Sequence, residues 1–134
     1  MNIDEAKRWL DFSKSDLNAA KSLLNDLGHY SRQVCYLSQQ AAEKSLKAVL
    51  IFTETVFPFT HDLDRLRECI PNGWRIKKAY PNLYSLTIWA VESRYPGDMP
   101  EITTTDAQDS IIMAEGICQL INQEIKERLV QIDS

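Results

Sequence analysis

The chain has 134 residues, of which 44% are hydrophobic and 25% are charged, and its formal net charge is -4 at pH 7. This length fits a single domain over 1–134 that can bury a core without a metal or a disulfide staple. The acidic balance argues against broad DNA or RNA binding, which depends on a dense field of lysine and arginine. No apolar run is long enough to span a bilayer and no signal peptide is visible, so a cytoplasmic protein is expected.

The first half of the chain has the pattern of a helical hairpin. Apolar and small residues spaced alternately by three and four predict a helix over about 4–27, with Gly28 as its C-cap. Ser31 is the predicted N-cap of a second helix over about 32–53. Because the connection is short, the two helices are expected to lie antiparallel.

The middle of the chain predicts two shorter helices. Thr60 is the expected N-cap of a helix over about 61–69, and Pro81 stands in the first turn of a helix over about 81–93. The segment 95–104 contains two prolines and a glycine with almost no periodicity, which predicts a loop.

The last predicted helix completes the fold. Thr105 and Gln108 form an expected capping box for a helix over about 106–132, whose apolar residues again repeat at three and four. No segment has the pattern of a strand. The sequence therefore predicts an all-α fold, an up-and-down antiparallel four-helix bundle with an additional short helix.

The second predicted helix carries polar residues where a core helix would carry none. At helical spacing they form a polar stripe beside the apolar face, and they are Gln40, Glu43, Lys44 and Lys47. Small neighbouring residues allow another helix to approach, so the stripe is expected to be partly covered and to need hydrogen-bond partners. It can bind a phosphate or nucleotide, or it can be a solvated face with local charge pairs, which spacing alone favours.

Two further segments hold candidate site residues. His61 precedes Asp62 and is a candidate for acid–base chemistry, because histidine is the side chain that could titrate near neutral pH, although the same residues also fit an ordinary helix start. Arg94 could contact a carboxylate or a phosphate through two hydrogen bonds, or it could end a helix with Asp98 capping the turn. The sequence has no glycine-rich phosphate loop, and its cysteines and histidines are too far apart for a metal site. No cofactor is expected.

Residues 39–48, 60–63 and 93–98, in this order, resemble the HEPN family, the higher-eukaryote and prokaryote nucleotide-binding domains. The resemblance implies an all-α up-and-down bundle that is usually dimeric. The matching positions are Gln40, Glu43, Lys44, Lys47, His61, Asp62, Arg94, Tyr95, Pro96 and Asp98. Ribonuclease members carry an arginine followed four to six residues later by a histidine, and Arg94 has no such histidine. The chain is instead similar to the Arg-Tyr-Pro branch, which is encoded beside a minimal nucleotidyltransferase.

The resemblance therefore implies a non-catalytic protein of a toxin–antitoxin-like module, which binds a nucleotide or another anion and partners a nucleotidyltransferase. One alternative is a purely structural interaction module, in which Arg94 pairs with Glu43 or Asp98. Another is a divergent metal-independent endoribonuclease with His61 as base and Arg94 as phosphate clamp. A homodimer is expected because the aromatic residues exceed what one small bundle needs inside.

Overall fold

Helices provide the regular structure of the residues that the computed structural model describes, which are 1–26, 28–91 and 101–133. The helices are α1 (Ile3–Leu24), α2 (Ser31–Phe52), α3 (Leu63–Cys69), α4 (Ile76–Ala79), α5 (Tyr84–Val91) and α6 (Thr104–Asp133). These ranges contain no strand, and the all-α fold predicted from the sequence is confirmed. No helix in the described part of the chain has the length and apolar character needed to cross a membrane.

Helix α2 is the central element, and it contacts α1, α3, α5 and α6. It lies antiparallel to α1, because Lys47 lies over the Trp9 ring far from the connection while Lys44 pairs with Asp16 nearer to it. Small buried residues such as Ala41 let the helices approach closely, and the Ala41 carbonyl accepts a hydrogen bond from α1 at 2.7 Å. This central position explains why even polar residues of α2 are buried.

The hydrophobic core joins α2 to the second half of the chain. Its largest fully buried side chains come from every helix except α1, and among them are Leu46, Leu50, Leu66, Ile76, Leu86, Ile117 and Ile121. Burying a side chain of this size stabilises the fold by roughly 1.5–3 kcal/mol. The packed core therefore fixes the surroundings of the polar stripe.

The predicted caps of the second and third helices are wrong. Ser31 is the first residue of α2, whose N-cap is Tyr30, and the Ser31 hydroxyl instead donates to the carbonyl of Gly28 at 3.1 Å. Thr60 does not cap α3. The side chain of Asp62 does, by accepting hydrogen bonds from two backbone amides of the first turn. A serine, a threonine or an aspartate can all cap, so nearby candidates compete and the sequence does not rank them.

Helix α6 begins two residues before the predicted start. Its capping box consists of Thr103 and Asp106, rather than Thr105 and Gln108. The Thr103 hydroxyl accepts from the Asp106 amide at 3.1 Å, and the Asp106 carboxylate accepts from the Thr103 amide at 2.9 Å. Three consecutive threonines make the register ambiguous in the sequence.

Helices α5 and α4 depart from the prediction. The predicted helix over 81–93 begins only at Tyr84, and the amide of Leu83, just before it, donates to Asp64 of α3 at 2.8 Å. Helix α4 was not predicted, and it anchors itself by burying Ile76. Of the predicted loop over 95–104, residues 95–100 lie outside the described residues.

The connection between α1 and α2 depends on a glycine. Helix α1 ends at Leu24, before the predicted end near 27, and its C-cap is Asn25. Gly28 lies in the connection with a φ of +80°, and a β-carbon there would stand 2.6 Å from the Thr104 hydroxyl oxygen. Both the backbone conformation and the close approach of α6 therefore require glycine.

Candidate functional site

Four polar residues form a cluster where α2 meets the segment before α3. They are Gln39, Glu43, Lys47 and His61, and we call them the Glu43 cluster. The first three are spaced by four residues and therefore lie on one face of α2. The Glu43 side chain is 4% exposed and the His61 side chain 36% exposed, so the cluster runs from the interior to the surface.

Glu43 is the acceptor that holds the cluster together. Its Oε1 accepts from Gln39 Nε2 at 3.0 Å and lies 2.8 Å from His61 Nδ1, and its Oε2 accepts from Lys47 Nζ at 2.9 Å. Gln39 Nε2 also donates to the backbone carbonyl of His61 at 3.3 Å. The buried carboxylate thus has three side-chain partners, as a buried charge requires.

These contacts set the protonation of the cluster. Burial by itself raises the pKa of Glu43, but hydrogen bonds from Gln39, Lys47 and His61, with the charge of Lys47, outweigh it and hold the pKa below its ordinary value. Glu43 is therefore ionised at neutral pH and can only accept, so the His61 Nδ1 bears a proton. The other ring nitrogen, Nε2, is an acceptor when the ring is neutral and a donor when it is protonated.

The two predicted anion-binding lysines each have a carboxylate partner. Lys44 Nζ lies 2.6 Å from the Asp16 carboxylate, with the two side chains 25% and 20% exposed. Lys47, at 11% exposed, bonds to Glu43 and also lies 5.8 Å from the centroid of the Trp9 ring. Local pairs therefore compensate both positive charges of the stripe.

The structure brings some of the predicted site residues together and separates others. Gln40 joins the Glu43 cluster at its edge, because its Nε2 donates to Gln39 Oε1 at 2.7 Å. Lys44 turns instead towards α1, and Asp62 caps α3. The remaining predicted residues lie outside the described residues, and they are Arg94, Tyr95, Pro96 and Asp98.

Comparison with known proteins identifies the fold family. The family model described as the HEPN domain matches residues 6–125. The chain belongs to the HEPN family. It is 31% identical to "Putative toxin MJ1304" of Methanocaldococcus jannaschii, over 95% of this chain and 92% of that protein.

Two solved structures share the fold of this HEPN domain. The crystal structure of TT1696 from Thermus thermophilus has a TM-score of 0.78 at 22% identity, and covers 92% of this chain and 98% of its own. The structure of ST0689, an archaeal HEPN homologue, has a TM-score of 0.64 at 25% identity, and covers 90% of this chain and 97% of its own.

Sequence reasoning missed one exposed aromatic residue of this HEPN domain. Phe59 is 93% exposed, and its ring centroid lies 5.8 Å from that of His61 in an edge-to-face arrangement. The sequence signal is an aromatic residue two positions before the acid–base candidate, in the stretch that follows the second helix. Asp16 was missed as well, because nothing local shows that it meets Lys44 from another helix.

The aromatic residues from which a homodimer was predicted divide between the core and the surface of this HEPN domain. Trp74 and Trp89 are 3% and 8% exposed, so they belong to the protomer's own core. Phe12, at 53% exposed, remains available to a partner. Within the described ranges, no group of three His, Cys, Asp or Glu side chains could hold a metal ion.

Proposed function

We propose that this HEPN protein is the non-catalytic component of a toxin–antitoxin-like pair. In this proposal it acts in the cytoplasm as a homodimer, beside a minimal nucleotidyltransferase, and binds a nucleotide at the Glu43 cluster. Family membership and the similarity to a protein named as a putative toxin support the toxin–antitoxin-like pair. The observation that carries the nucleotide binding is His61, whose Nδ1 is fixed by buried Glu43 while its ring is 36% exposed.

The surroundings of His61 suit a nucleotide better than a simple anion. Phe59 offers an exposed ring beside it, and stacking of a base on an aromatic side chain contributes about 1–3 kcal/mol. His61 Nε2 can accept from a ribose hydroxyl or, when protonated, donate to a phosphate. Since Lys44 and Lys47 are paired, the base and sugar would supply more of the affinity than the phosphate. Arg94 is proposed as a further contact of the same nucleotide.

A thermal-shift titration with ATP, GTP, CTP and UTP tests the binding. A ligand at ten times its Kd stabilises the native state by about 1.4 kcal/mol, which should raise the Tm by roughly 4–6 °C. The shift should disappear in His61→Gln and Phe59→Ala and persist in His29→Gln, which changes an exposed histidine elsewhere. No shift at millimolar nucleotide would reject the ligand and leave an interaction module.

Co-expression with a minimal nucleotidyltransferase tests the partner. A stable pair should co-purify in a fixed ratio, and the exposed Phe12 is the first aromatic residue to examine at a contact. Light scattering of the protein alone tests the homodimer. A monomer at all concentrations would remove that part of the proposal.

A second candidate, a divergent metal-independent endoribonuclease, is favoured by one observation. A carboxylate that holds Nδ1 of an exposed imidazole is the arrangement a general base needs, and Glu43 and His61 have it at 2.8 Å. His61 Nε2 would take the proton of a 2'-hydroxyl as that oxygen bonds to phosphorus. The bond between phosphorus and the 5'-oxygen would break, and the 5'-oxygen would take a proton from water. Cleavage of labelled RNA in EDTA that is lost in His61→Gln would support this candidate, and intact RNA would remove it.

A further inference from the structure

A groove between α1 and α6 has the free positive charge that the Glu43 cluster lacks. It encloses about 360 Å³. Its floor contains Leu10, Leu17, Cys118 and the buried Ser13, and its rim contains Lys14, Lys21, Lys126, Asn18, Gln119, Asn122 and Gln123. An apolar floor with convergent polar groups is the usual composition of a small-molecule site.

The charges of the groove are unevenly compensated. Glu115 is the one carboxylate of its lining, and it pairs with Lys21 at 2.6 Å. Lys14 and Lys126 are exposed and make no hydrogen bond or ion pair within the described part of the chain. In a protein of net charge -4, two unpaired lysines give this groove a local positive charge, which favours an anionic ligand.

The carboxamides add the second component of recognition. Asn18 and Asn122 make no side-chain hydrogen bond to another described residue, so each offers a donor and an acceptor. Asparagine and glutamine side chains recognise the edges of nucleobases through such paired hydrogen bonds. The apolar floor formed by Leu10 and Leu17 would bury the flat face of the base.

We propose that the α1/α6 groove binds one nucleotide unit, with its base on the floor and its phosphate at Lys14 and Lys126. The site is distinct from the Glu43 cluster, because Trp9 and Asp16 lie on the face of α1 that meets Lys47 and Lys44. It does not depend on the proposed role of His61. The unit can be a free nucleotide or part of a single-stranded RNA.

Lys21 distinguishes these two sources. It lies seven residues after Lys14 on α1, which places it two turns or about 10 Å further along the groove. Because Lys21 is held by Glu115 at 2.6 Å, a single phosphate at Lys14 should contact it less than the next phosphate of a strand does. Lys21→Met should therefore weaken RNA binding by a larger factor than mononucleotide binding.

The test measures the binding of AMP by amide-resolved NMR titration. It measures the binding of a fluorescent single-stranded oligoribonucleotide by anisotropy. We expect AMP to shift the side-chain amide signals of Asn18 and Asn122. The double variant Lys14→Met/Lys126→Met should bind about tenfold more weakly. Its slope of log K against log salt for RNA should fall by about two. Lys78→Met, which removes an exposed lysine of α4, is the matched control.

Each outcome decides between the two sites. Binding that survives in the double lysine variant but is lost in His61→Gln would overturn the groove and support the Glu43 cluster. Binding that is lost in the double lysine variant but survives in His61→Gln would support the groove and reject the His61 proposal. Absence of both amide shifts and anisotropy change at millimolar AMP and micromolar RNA would overturn the groove. Unchanged helical circular dichroism should accompany these variants, because the altered lysines are exposed.

Discussion

Replacing Glu43 with glutamine tests whether its charge holds the polar face of α2 in place. Glutamine has nearly the same shape, so the substitution leaves no cavity. It removes the negative charge and turns one acceptor into a donor. The new amide group must then face either the Lys47 ammonium or the donors of Gln39 and His61. One hydrogen bond is lost in the first orientation and two in the second.

The larger effect comes from Lys47. Its side chain is 11% exposed, so its charge would remain mostly buried without a carboxylate. Removing one partner of a buried pair destabilises a protein by about 3–5 kcal/mol. Because Lys47 keeps its contact with Trp9 and some access to water, we expect the lower end, about 3 kcal/mol. The Tm should fall by roughly 10 °C.

Chemical denaturation followed by circular dichroism measures this loss. The midpoint should fall while the m-value stays constant. Glu115→Gln is the control, because it breaks a surface pair with Lys21 and should change stability by less than about 1 kcal/mol. Adding Lys47→Met to Glu43→Gln should restore part of the loss by removing the stranded charge. The reasoning would be refuted if the losses of unfolding free energy in Glu43→Gln and Lys47→Met simply added in the double variant. A loss below about 1 kcal/mol in Glu43→Gln would refute it as well.

Three further results follow from the same structure. Since the pKa of Glu43 is lowered on folding, the unfolded chain binds its proton more tightly, so this stability is present above the ordinary carboxyl pKa of 4.5 and is lost as the pH falls below it. Denaturation between pH 7 and pH 3 should show this loss in the wild type and less of it in Glu43→Gln. Gly28→Ala should destabilise by more than Gly73→Ala in the same assay, because both have positive φ but only at Gly28 does the β-carbon meet another atom. Burial raises the pKa of Cys35 to about 11 and also raises that of Cys118, so a thiol reagent at neutral pH should modify half-buried Cys69 first, and equal rates would contradict this.

Local sequence patterns predicted the long helices well. The spacing of apolar residues depends only on the residues of one helix, so α1, α2 and α6 were found with end errors of a few positions. Helix α4 could not be found in this way. It is held by distant contacts, among them the Arg75 amide to Glu124 at 2.8 Å and Arg128 over the Trp74 ring at 4.0 Å.

The sequence singled out three of the four residues of the Glu43 cluster, but neither Gln39 nor the pairing between them. Sequence reasoning selected Glu43, Lys47 and His61, because polar residues on a core helix and a histidine beside a carboxylate are visible locally. The pairing depends on the fold. His61 turns towards Glu43 of α2 rather than towards its neighbour Asp62, which caps α3. Whether the stripe offers free charge could be decided only once Asp16 was placed beside Lys44.

That pairing leads to one more prediction about Lys44. If a nucleotide phosphate reaches this lysine, it must compete with Asp16, which lies 2.6 Å from Nζ. Asp16→Asn removes the competitor and should tighten ATP binding by about two- to fivefold, because partly exposed pairs are worth up to about 1 kcal/mol.

A control must separate this local effect from the change in net charge. Asp26→Asn changes the charge equally at an exposed position beyond the end of α1, and it should leave ATP affinity the same within error. Isothermal titration at moderate salt measures both. Tightening in Asp16→Asn alone means that Lys44 reaches the ligand and that its ion pair limits affinity. Equal affinity in both variants would mean that Lys44 only joins α1 to α2, and the cationic part of any nucleotide site would then have to lie elsewhere, with the α1/α6 groove as the next place to look.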